Sequence, residues 1–452
     1  MPKVSDGLKK TLMFFGRRSI VLIVGACFVA VWVLYYGGAI TNPFFRKGNW
    51  VVVILYLTLY YIFTNLYGGF RIGSQKITDT VYANILSLLI VNVVTYFQIA
   101  LISRGFLDPM PLVMGTLVQM AVIIVWAVAV TKLYFRIFKP VRLICVYDGA
   151  FPQEVTNKFS YVIDKFDIVD FQLISAVEES GCRSLMNCDG IIIVNVPDEK
   201  YAELLKFCVE KKLRYYLVPT IADILLHSSE LIYINDMPLL LSKNEGLYLG
   251  QKLTKRLIDL GCSAAMILVL SPVMALCALA VKLSDHGPAI YRQKRCTKNG
   301  REFEILKFRS MRQNAESDGC ARLASENDPR ITRVGALLRK YRLDELPQLF
   351  NILRGDMSFV GPRPERPELI KAYKKELPEF DYRLGVKCGL TGYAQVIGRY
   401  NTTPEEKLKL DLIYIQNYSL LLDIKIMLMT VKAIFSKESS QGITDKDQSS
   451  EN

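Results

Sequence analysis

Long apolar runs dominate the first third of the chain. Four of them, at residues 20–36, 50–66, 83–102 and 112–135, approach the roughly 20 residues that a helix needs to span a bilayer. The pattern predicts four transmembrane helices within residues 1–140. Basic residues are concentrated before the first run and after the fourth, so the positive-inside rule places the N-terminus and everything after Pro140 in the cytoplasm.

Short apolar strands alternate with helical segments between residues 141 and 245. Residues 141–147, 190–196 and 213–218 have the pattern of strands, and residues 198–212 that of a helix. This predicts a Rossmann-like α/β domain with a mostly parallel sheet. Tyr147-Asp148-Gly149-Ala150 follows the first strand without the G-x-G-x-x-G turn that lets a dinucleotide approach the backbone. We interpret the domain as degenerate, with a regulatory or assembly role.

A fifth apolar run, at residues 261–281, differs from the other four. Ser271-Pro272 interrupts it, and basic residues flank both ends. A proline inside a helix removes a hydrogen bond and kinks the helix, and a neighbouring serine can satisfy the freed carbonyl. An ordinary fifth span is the alternative, which hydropathy alone slightly favours. It would place the charged, thiol-containing domain that follows outside the cell, so we expect a re-entrant helix at about 259–283.

The composition agrees with a membrane protein. Of 452 residues 51% are hydrophobic, and the formal net charge of +13 suits anionic lipid head groups or anionic substrates. We predict no nucleic-acid partner, because the chain has no zinc finger, basic zipper or aromatic RNA-binding motif. The 10 cysteines form no C-x-x-C pair, and there are only two histidines. These counts argue against a zinc site and a histidine-activated nucleophile, and predict thiols in a reducing compartment.

Two adjacent carboxylates, Asp344 and Glu345, follow the cationic run Arg339-Lys340-Tyr341-Arg342. Neighbouring side chains point in different directions on a helix or strand, so the pair is not an ordinary salt-bridged stripe. One carboxylate can face a reacting phosphorus or a metal while the other orients or activates it. The alternative is that the pair caps a helix that begins near Leu346, with Pro347 in its first turn. Judged alone, the pair favours that structural role by roughly two to one.

Further cations accompany the acidic pair. Lys307 and Arg309 project to one face of a short predicted strand. The segment Gly361-Pro362-Arg363-Pro364 forms a stiff turn that aims Arg363 at one place. Arginine side chains hold phosphate oxygens through fork-shaped contacts. Together these residues indicate chemistry on a phosphate.

Two segments complete the chain. Residues 420–435 are amphipathic and suit a membrane surface. Residues 437–452 are polar, and we predict that they are disordered.

Residues from about 252 to 435 resemble the bacterial sugar transferase family, the monotopic polyprenyl-phosphate phosphoglycosyl transferases. The matching segments are Ser271-Pro272, Lys307-Phe308-Arg309-Ser310-Met311, Leu343-Asp344-Glu345-Leu346-Pro347-Gln348, Gly355-Asp356-Met357-Ser358, Gly361-Pro362-Arg363-Pro364 and Gly389-Leu390-Thr391-Gly392. Their order and spacing make the resemblance specific. Cys388 and Tyr393 depart from it, because the family usually has proline and often tryptophan there. Four spans and a degenerate α/β domain before this unit resemble the long form of the family, which includes initiating enzymes of exopolysaccharide, capsule and O-antigen assembly.

The resemblance implies transfer of a sugar-1-phosphate from a UDP-sugar to undecaprenyl phosphate, with release of UMP. It implies Asp344 as the nucleophile of a phospho-aspartyl intermediate. Glu345 would help to bind Mg²⁺ with Asp344, or deprotonate the lipid phosphate. The cations expected to contact phosphate or nucleotide are Lys307, Arg309, Arg339, Arg363 beside Pro362, and Arg383. The charge on a carboxylate next to a phosphate must be neutralised, and Mg²⁺ with arginines supplies this.

The resemblance also implies a place in the cell. A catalytic domain at residues 250–436 would lie on the cytoplasmic face of the bacterial inner membrane, in contact with lipids. Arg256 and Asp259 would lie where the re-entrant helix meets the lipid head group, and Ser271-Pro272 would set its break. A homodimer through the soluble domains is a further expectation. Asp356 is a weaker candidate for the site, because aspartates in turns are commonly structural.

Two alternatives remain open at the level of sequence. A membrane-anchored nucleotide-sugar dehydratase also joins four spans to an α/β domain, but it needs a glycine-rich loop and a properly placed Tyr/Lys pair. Tyr161 and Lys165 have that spacing, yet they lie on the first predicted helix of the domain. The other alternative is a catalytically inactive assembly scaffold, against which the intact Asp344-Glu345 pair argues.

Overall fold

The computed structural model describes residues 6–38, 48–159, 165–242, 246–312, 328–398 and 402–435. By internal contacts the chain divides into two compact units, Met1–Pro219 and Thr220–Asn452. The predicted disordered tail at 437–452 and Tyr161 lie outside the described residues.

Four long apolar helices begin the first unit. They are α1 (Asp6–Val31, continued by a π-helical turn at Trp32–Tyr36), α2 (Gly48–Tyr67), α3 (Ile77–Ser103) and α4 (Met110–Ile137). Each is long and apolar enough to cross a membrane. They extend up to 14 residues beyond the predicted runs, as at the start of α1, because apolar composition marks the centre of a span and not the ends of its helix.

Buried polar side chains connect these four helices. Gln119 of α4 donates hydrogen bonds of 3.0 Å to the carbonyl of Val24 in α1 and to the hydroxyl of Tyr56 in α2. Asn92 of α3 donates to Oε1 of Gln119, also at 3.0 Å. All three polar side chains are buried. Since a buried polar group must find its hydrogen-bond partner inside the protein, these bonds fix how the helices pack.

A four-stranded parallel sheet follows. Its elements are β1 (Val141–Tyr147), α5 (Gln153–Phe159), β2 (Phe166–Leu173), α6 (Ile174–Glu179), β3 (Gly190–Val194), α7 (Asp198–Lys211) and β4 (Arg214–Leu217). The order is β2-β1-β3-β4, and every pairing is parallel, as the sequence pattern predicted. Every residue of β3 is buried, because helices cover both faces of such a sheet. Strand β2 was not predicted, because it carries polar residues at Asp167, Asp170 and Gln172.

The second unit combines helices with short strands. Its elements are α8 (Ile221–His227), β5 (Glu230–Ile234), β6 (Met237–Leu241), α9 (Leu249–Asp285), β7 (Ile290–Cys296), β8 (Glu302–Phe308), α10 (Arg333–Lys340), α11 (Gln348–Arg354), β9 (Ser358–Val360), α12 (Pro367–Glu376), β10 (Gly389–Thr391), α13 (Tyr393–Ile397), α14 (Pro404–Gln416) and α15 (Leu420–Phe435). Strands β5–β6 and β7–β8 form antiparallel hairpins, and β9 pairs with β10 in parallel.

The apolar core of the second unit holds the short strands between helices. Leu349 and Ile352 of α11 pack there with Phe359 of β9, Tyr414 of α14 and Ile426 of α15. All five side chains are buried. This packing fixes both the loop that precedes α11 and the turn that follows β9.

Helix α9 is the fifth described helix that is long and apolar enough to cross a membrane, and Pro272 lies inside its 37 residues. Pro272 has no N–H to donate to the carbonyl of Leu268. The Ser271 hydroxyl donates to that carbonyl instead, at 2.8 Å, which confirms the compensation predicted from the sequence.

Candidate active site

The acidic pair lies on a single 3₁₀ turn, Leu343–Glu345, between α10 and α11. Arg342 precedes it with φ of +54°, a left-handed conformation that cannot continue the right-handed helix α10. The N-cap of α11 is Pro347, and no side chain there makes a capping hydrogen bond. The alternative that Asp344 and Glu345 cap this helix is therefore wrong.

Three cations converge on Glu345. Nζ of Lys307 lies 3.4 Å from Oε1, Nη2 of Arg363 lies 3.8 Å from Oε1, and Nη1 of Arg342 lies 3.7 Å from Oε2. The Glu345 side chain is only 14% exposed. These cations come from β8, from the turn after β9 and from the residue that precedes the 3₁₀ turn, so the fold assembles them around one carboxylate. Arg342 was not singled out by the sequence, because it was one member of a longer basic run.

The two neighbouring carboxyl groups have pKa values displaced in opposite directions. Burial, together with the negative charge of Glu345, raises the pKa of Asp344 above its usual range. Burial also opposes ionisation of Glu345, but Lys307, Arg363 and Arg342 outweigh it and hold the pKa of Glu345 low. Such divergence commonly separates the roles of paired carboxyl groups in enzymes.

The predicted cations before the acidic pair occupy different places. Burial lowers the pKa of Lys307, while Glu345 opposes that change. Arg339 donates from Nε to Oγ of Ser310 at 2.8 Å, and its charge lowers the pKa of Asp344. Arg309 is buried, and its guanidinium occupies the space that a side chain at Gly287 would need. The structure thus brings Lys307 and Arg339 to the acidic pair and turns Arg309 toward Gly287.

Hydrogen bonds to β10 hold the turn that carries Arg363. Gly361 donates to the carbonyl of Thr391 at 2.9 Å, and the carbonyl of Pro362 accepts from Gly389 at 3.0 Å. Arg363 then donates from Nη1 to Oε1 of Gln395 at 3.0 Å. Gln395 was not among the predicted site residues, because a lone glutamine carries no chemical signature.

Two further candidates lie in ion pairs away from the acidic pair. Arg383 is 2% exposed and forms a 2.7 Å ion pair with Asp411. It also donates to the carbonyl of Arg363 at 3.1 Å. Asp356 pairs with Arg301 at 2.8 Å. These contacts give Arg383 a supporting position behind the Arg363 turn.

The candidates on α9 contact the backbone of the second unit. Arg256 donates to the carbonyls of Ile352 and Leu353 at 2.7 and 2.8 Å, which satisfies the end of α11. Asp259 is buried and accepts 3.0 Å hydrogen bonds from Ser358 and from the amide of Phe359. Ser271 and Pro272 are exposed further along the helix. The structure does not bring these four residues to the acidic pair.

Comparisons with known proteins identify the family of the segment that contains the acidic pair. The model of the family described as bacterial sugar transferase matches residues 250–437. The chain is 40% identical over 193 residues to a UDP-glucose:undecaprenyl-phosphate glucose-1-phosphate transferase of Caulobacter vibrioides, covering 42% of this chain and 72% of that protein. The chain belongs to the bacterial sugar transferase family.

Other relatives carry different sugars in their names. A UDP-N-acetylgalactosamine-undecaprenyl-phosphate N-acetylgalactosaminephosphotransferase of Aeromonas hydrophila is 42% identical over 185 residues, covering 40% of this chain and 44% of that protein. An undecaprenyl-phosphate galactose phosphotransferase of Salmonella typhimurium is 36% identical over 238 residues, covering 49% of each. The chain spans about half or less of the length of most curated relatives that it matches.

Proposed function

We propose that this protein transfers a sugar-1-phosphate from a UDP-sugar to undecaprenyl phosphate and releases UMP, as an initiating membrane step of exopolysaccharide, capsule or O-antigen synthesis. The observation that carries the proposal is the Asp344-Glu345 pair, set among cations in the segment that matches the family. The names of the relatives give different sugars, so the donor sugar is to be identified by testing a panel of UDP-sugars.

Asp344 is the nucleophile in this proposal. A carboxylate oxygen of Asp344 attacks the β-phosphorus of the UDP-sugar, and the bond from that phosphorus to the bridging oxygen breaks. UMP leaves with the electron pair of that bond, and a sugar phosphate remains on Asp344. An oxygen of undecaprenyl phosphate then attacks the same phosphorus, which yields the lipid diphosphate sugar and restores the carboxylate.

Glu345 and the surrounding cations have different roles in the proposed reaction. Lys307, Arg339 and Arg363 would hold phosphate oxygens and offset the charge that collects during transfer. Because its pKa is held low, Glu345 is a weak base. The proposal therefore favours a metal-holding role for Glu345 over removal of a proton from the lipid phosphate.

The carboxylate oxygens of the acidic pair are suitable ligands for Mg²⁺. Mg²⁺ commonly takes one or two carboxylates and completes its shell with substrate phosphates and water. Among the described residues no group of three or more His, Cys, Asp or Glu side chains could hold a metal ion. In this proposal Asp344 and Glu345 would be the protein ligands, and a bound Mg²⁺ would neutralise charge on the diphosphate.

In the membrane we propose four transmembrane helices, α1 to α4, and a re-entrant α9. Contacts on both sides of Pro272 support the re-entrant arrangement. Before it, Asp259 bonds to β9; after it, Val281 packs with Phe308 and Leu338. A helix that crossed the bilayer would carry its two ends to opposite sides, about 30 Å apart, and one soluble domain could not follow it. Apolar side chains that are strongly exposed on α9 include Leu257, Leu268, Leu276 and Leu283, which lipid would cover.

Labelling tests this topology, with the catalytic domain on the cytoplasmic face of the inner membrane. Exposed Lys375 on α12 is replaced by cysteine in a background that lacks exposed Cys262. A membrane-impermeant maleimide should label Lys375→Cys only from the cytoplasmic side. Adding Pro272→Ala should let α9 straighten and create a population that labels from outside. Outside labelling without that change would contradict the re-entrant arrangement.

The homodimer stays a prediction, which light scattering of the purified protein would test.

The reaction is tested by UMP release. Detergent-purified full-length protein is mixed with Mg²⁺ and a panel of UDP-sugars, with and without undecaprenyl phosphate. UMP from one donor, lost on chelation of the metal, would support the reaction and identify the sugar. No UMP with any donor, at protein concentrations that would reveal a single turnover, would contradict the proposal and favour the scaffold alternative.

A further inference from the structure

A buried ion pair joins α9 to α15 at a distance from the acidic pair. Nζ of Lys255 lies 2.6 Å from Oδ2 of Asp423, and the two side chains are 12% and 7% exposed. Removing two charges from water costs several kcal/mol per ion, so such a pair adds little net stability by itself. Its position in the fold points to another role.

Tyr414 extends the pair to strand β9. Its hydroxyl oxygen accepts a hydrogen bond from Nζ of Lys255 at 3.2 Å. The single hydroxyl proton is shared between two acceptors, Oδ1 of Asp423 at 2.8 Å and the carbonyl oxygen of Val360 at 3.3 Å. Burial raises the pKa of Tyr414, so the hydroxyl keeps its proton. Val360 ends β9, and Arg363 follows three residues later.

Helix α9 also holds the beginning of β9. Asp259 accepts from Ser358 and from the amide of Phe359. Lys255 and Asp259 are four residues apart, so they lie on one face of α9. Two residues on one face of α9 therefore hold both ends of β9. Asp259 bonds directly to the beginning of the strand, and Lys255 acts on its end through Tyr414.

We propose that Lys255, Asp423 and Tyr414 are positioning residues that set β9 and thereby aim Arg363 at Glu345. This inference rests on the proposed function, because it assigns a supporting set to the same site. The Arg363 turn is constrained on its other side by β10, so the end of β9 is the part that these three residues control. A shift of about 1 Å in a group that holds a substrate lowers the rate by roughly 100-fold.

A double-mutant cycle on the full-length protein tests this proposal. Asp423→Asn, Arg363→Lys and the combined variant are compared by the kcat and KM of UMP release. If Asp423 acts through Arg363, the combined loss should not exceed the larger single loss, since neighbours in one network are not additive. We expect Asp423→Asn alone to lower kcat roughly 10- to 100-fold and to raise the KM for the UDP-sugar.

A second variant keeps the test informative if Asp423→Asn fails to fold. Tyr414→Phe removes only the hydroxyl and leaves the ion pair, and its cycle with Arg363→Lys should also be non-additive. Glu405→Gln is the matched control, because it breaks the ion pair of Glu405 with Lys409 on α14 without touching β9. It should keep wild-type kinetics.

The outcomes separate the two proposals. Losses that multiply in both cycles would overturn the positioning role while the reaction stands. Absence of UMP from the wild-type protein with every donor would overturn the proposed function and the positioning role with it.

Discussion

The ammonium group of Lys307 lies 3.4 Å from Oε1 of Glu345, joining strand β8 to the turn that carries the acidic pair. Because Lys307 is the nearest of the three cations on Glu345, its removal should weaken both the acidic pair and the hold on phosphate. We expect Lys307→Met to lower kcat/KM for UMP release about 100- to 1,000-fold, the usual cost of losing one group that stabilises transition-state charge.

Lys294→Met is the matched control for Lys307→Met. Lys294 lies on β7 of the same hairpin and pairs with Glu302 at 3.7 Å, with both side chains more than half exposed. An exposed pair contributes about 0–1 kcal/mol, so this variant should keep wild-type turnover. Equal losses in the two variants would show that the hairpin, and not the charge at position 307, carries the effect.

Asp344→Asn tests the nucleophile. The amide of asparagine is a far poorer nucleophile than a carboxylate and cannot form the acyl phosphate, so turnover should fall roughly 10,000-fold or more. With a donor labelled in the β-phosphate, wild-type protein without acceptor lipid should retain label on Asp344, and the variant should retain none. Asp381→Asn, which breaks an exposed ion pair with Lys374, is the control. It should keep wild-type turnover and retain the label on Asp344. Substantial turnover by Asp344→Asn would remove Asp344 from the nucleophile role.

The raised pKa of Asp344 predicts an acid limb in the pH profile of kcat/KM. The attacking form is the ionised one, so the rate should fall as the pH drops through a pKa above the usual value of about 3.9. The charge of Lys307 lowers the pKa of Asp344, and its loss in Lys307→Met should move the acid limb to higher pH. An unmoved acid limb in that variant would contradict the electrostatic link between the two residues.

The sequence predicted much of this architecture because apolar length and strand alternation are local signals. Apolar runs located α1 to α4 and α9, and alternation located β1, β3 and β4. Such local signals do not show which residue each cation contacts in the folded chain. Arg383 and Arg339 are equal as charges in a sequence, yet one pairs with buried Asp411 and the other approaches the acidic pair. Gln395 and Tyr414 gain their roles only through residues distant in the chain.

The buried pair of Arg383 and Asp411 gives the last prediction. Removing one partner of a buried pair leaves an uncompensated charge, so Arg383→Met should cost about 3–5 kcal/mol. Thermal unfolding of the detergent-purified protein should show a lower midpoint than wild type. Arg301→Met, which breaks the more exposed pair with Asp356, should cost no more than about 1 kcal/mol.

The pH dependence of the Arg383→Met variant provides a second check. Burial raises the pKa of Asp411 even with Arg383 beside it, and without Arg383 the pKa should rise further. Protonation then removes the buried charge, so the gap in midpoint between variant and wild type should narrow as the pH falls and be largest at high pH. A wild-type midpoint combined with a raised KM for the UDP-sugar would instead return Arg383 to the phosphate-binding role that the sequence predicted.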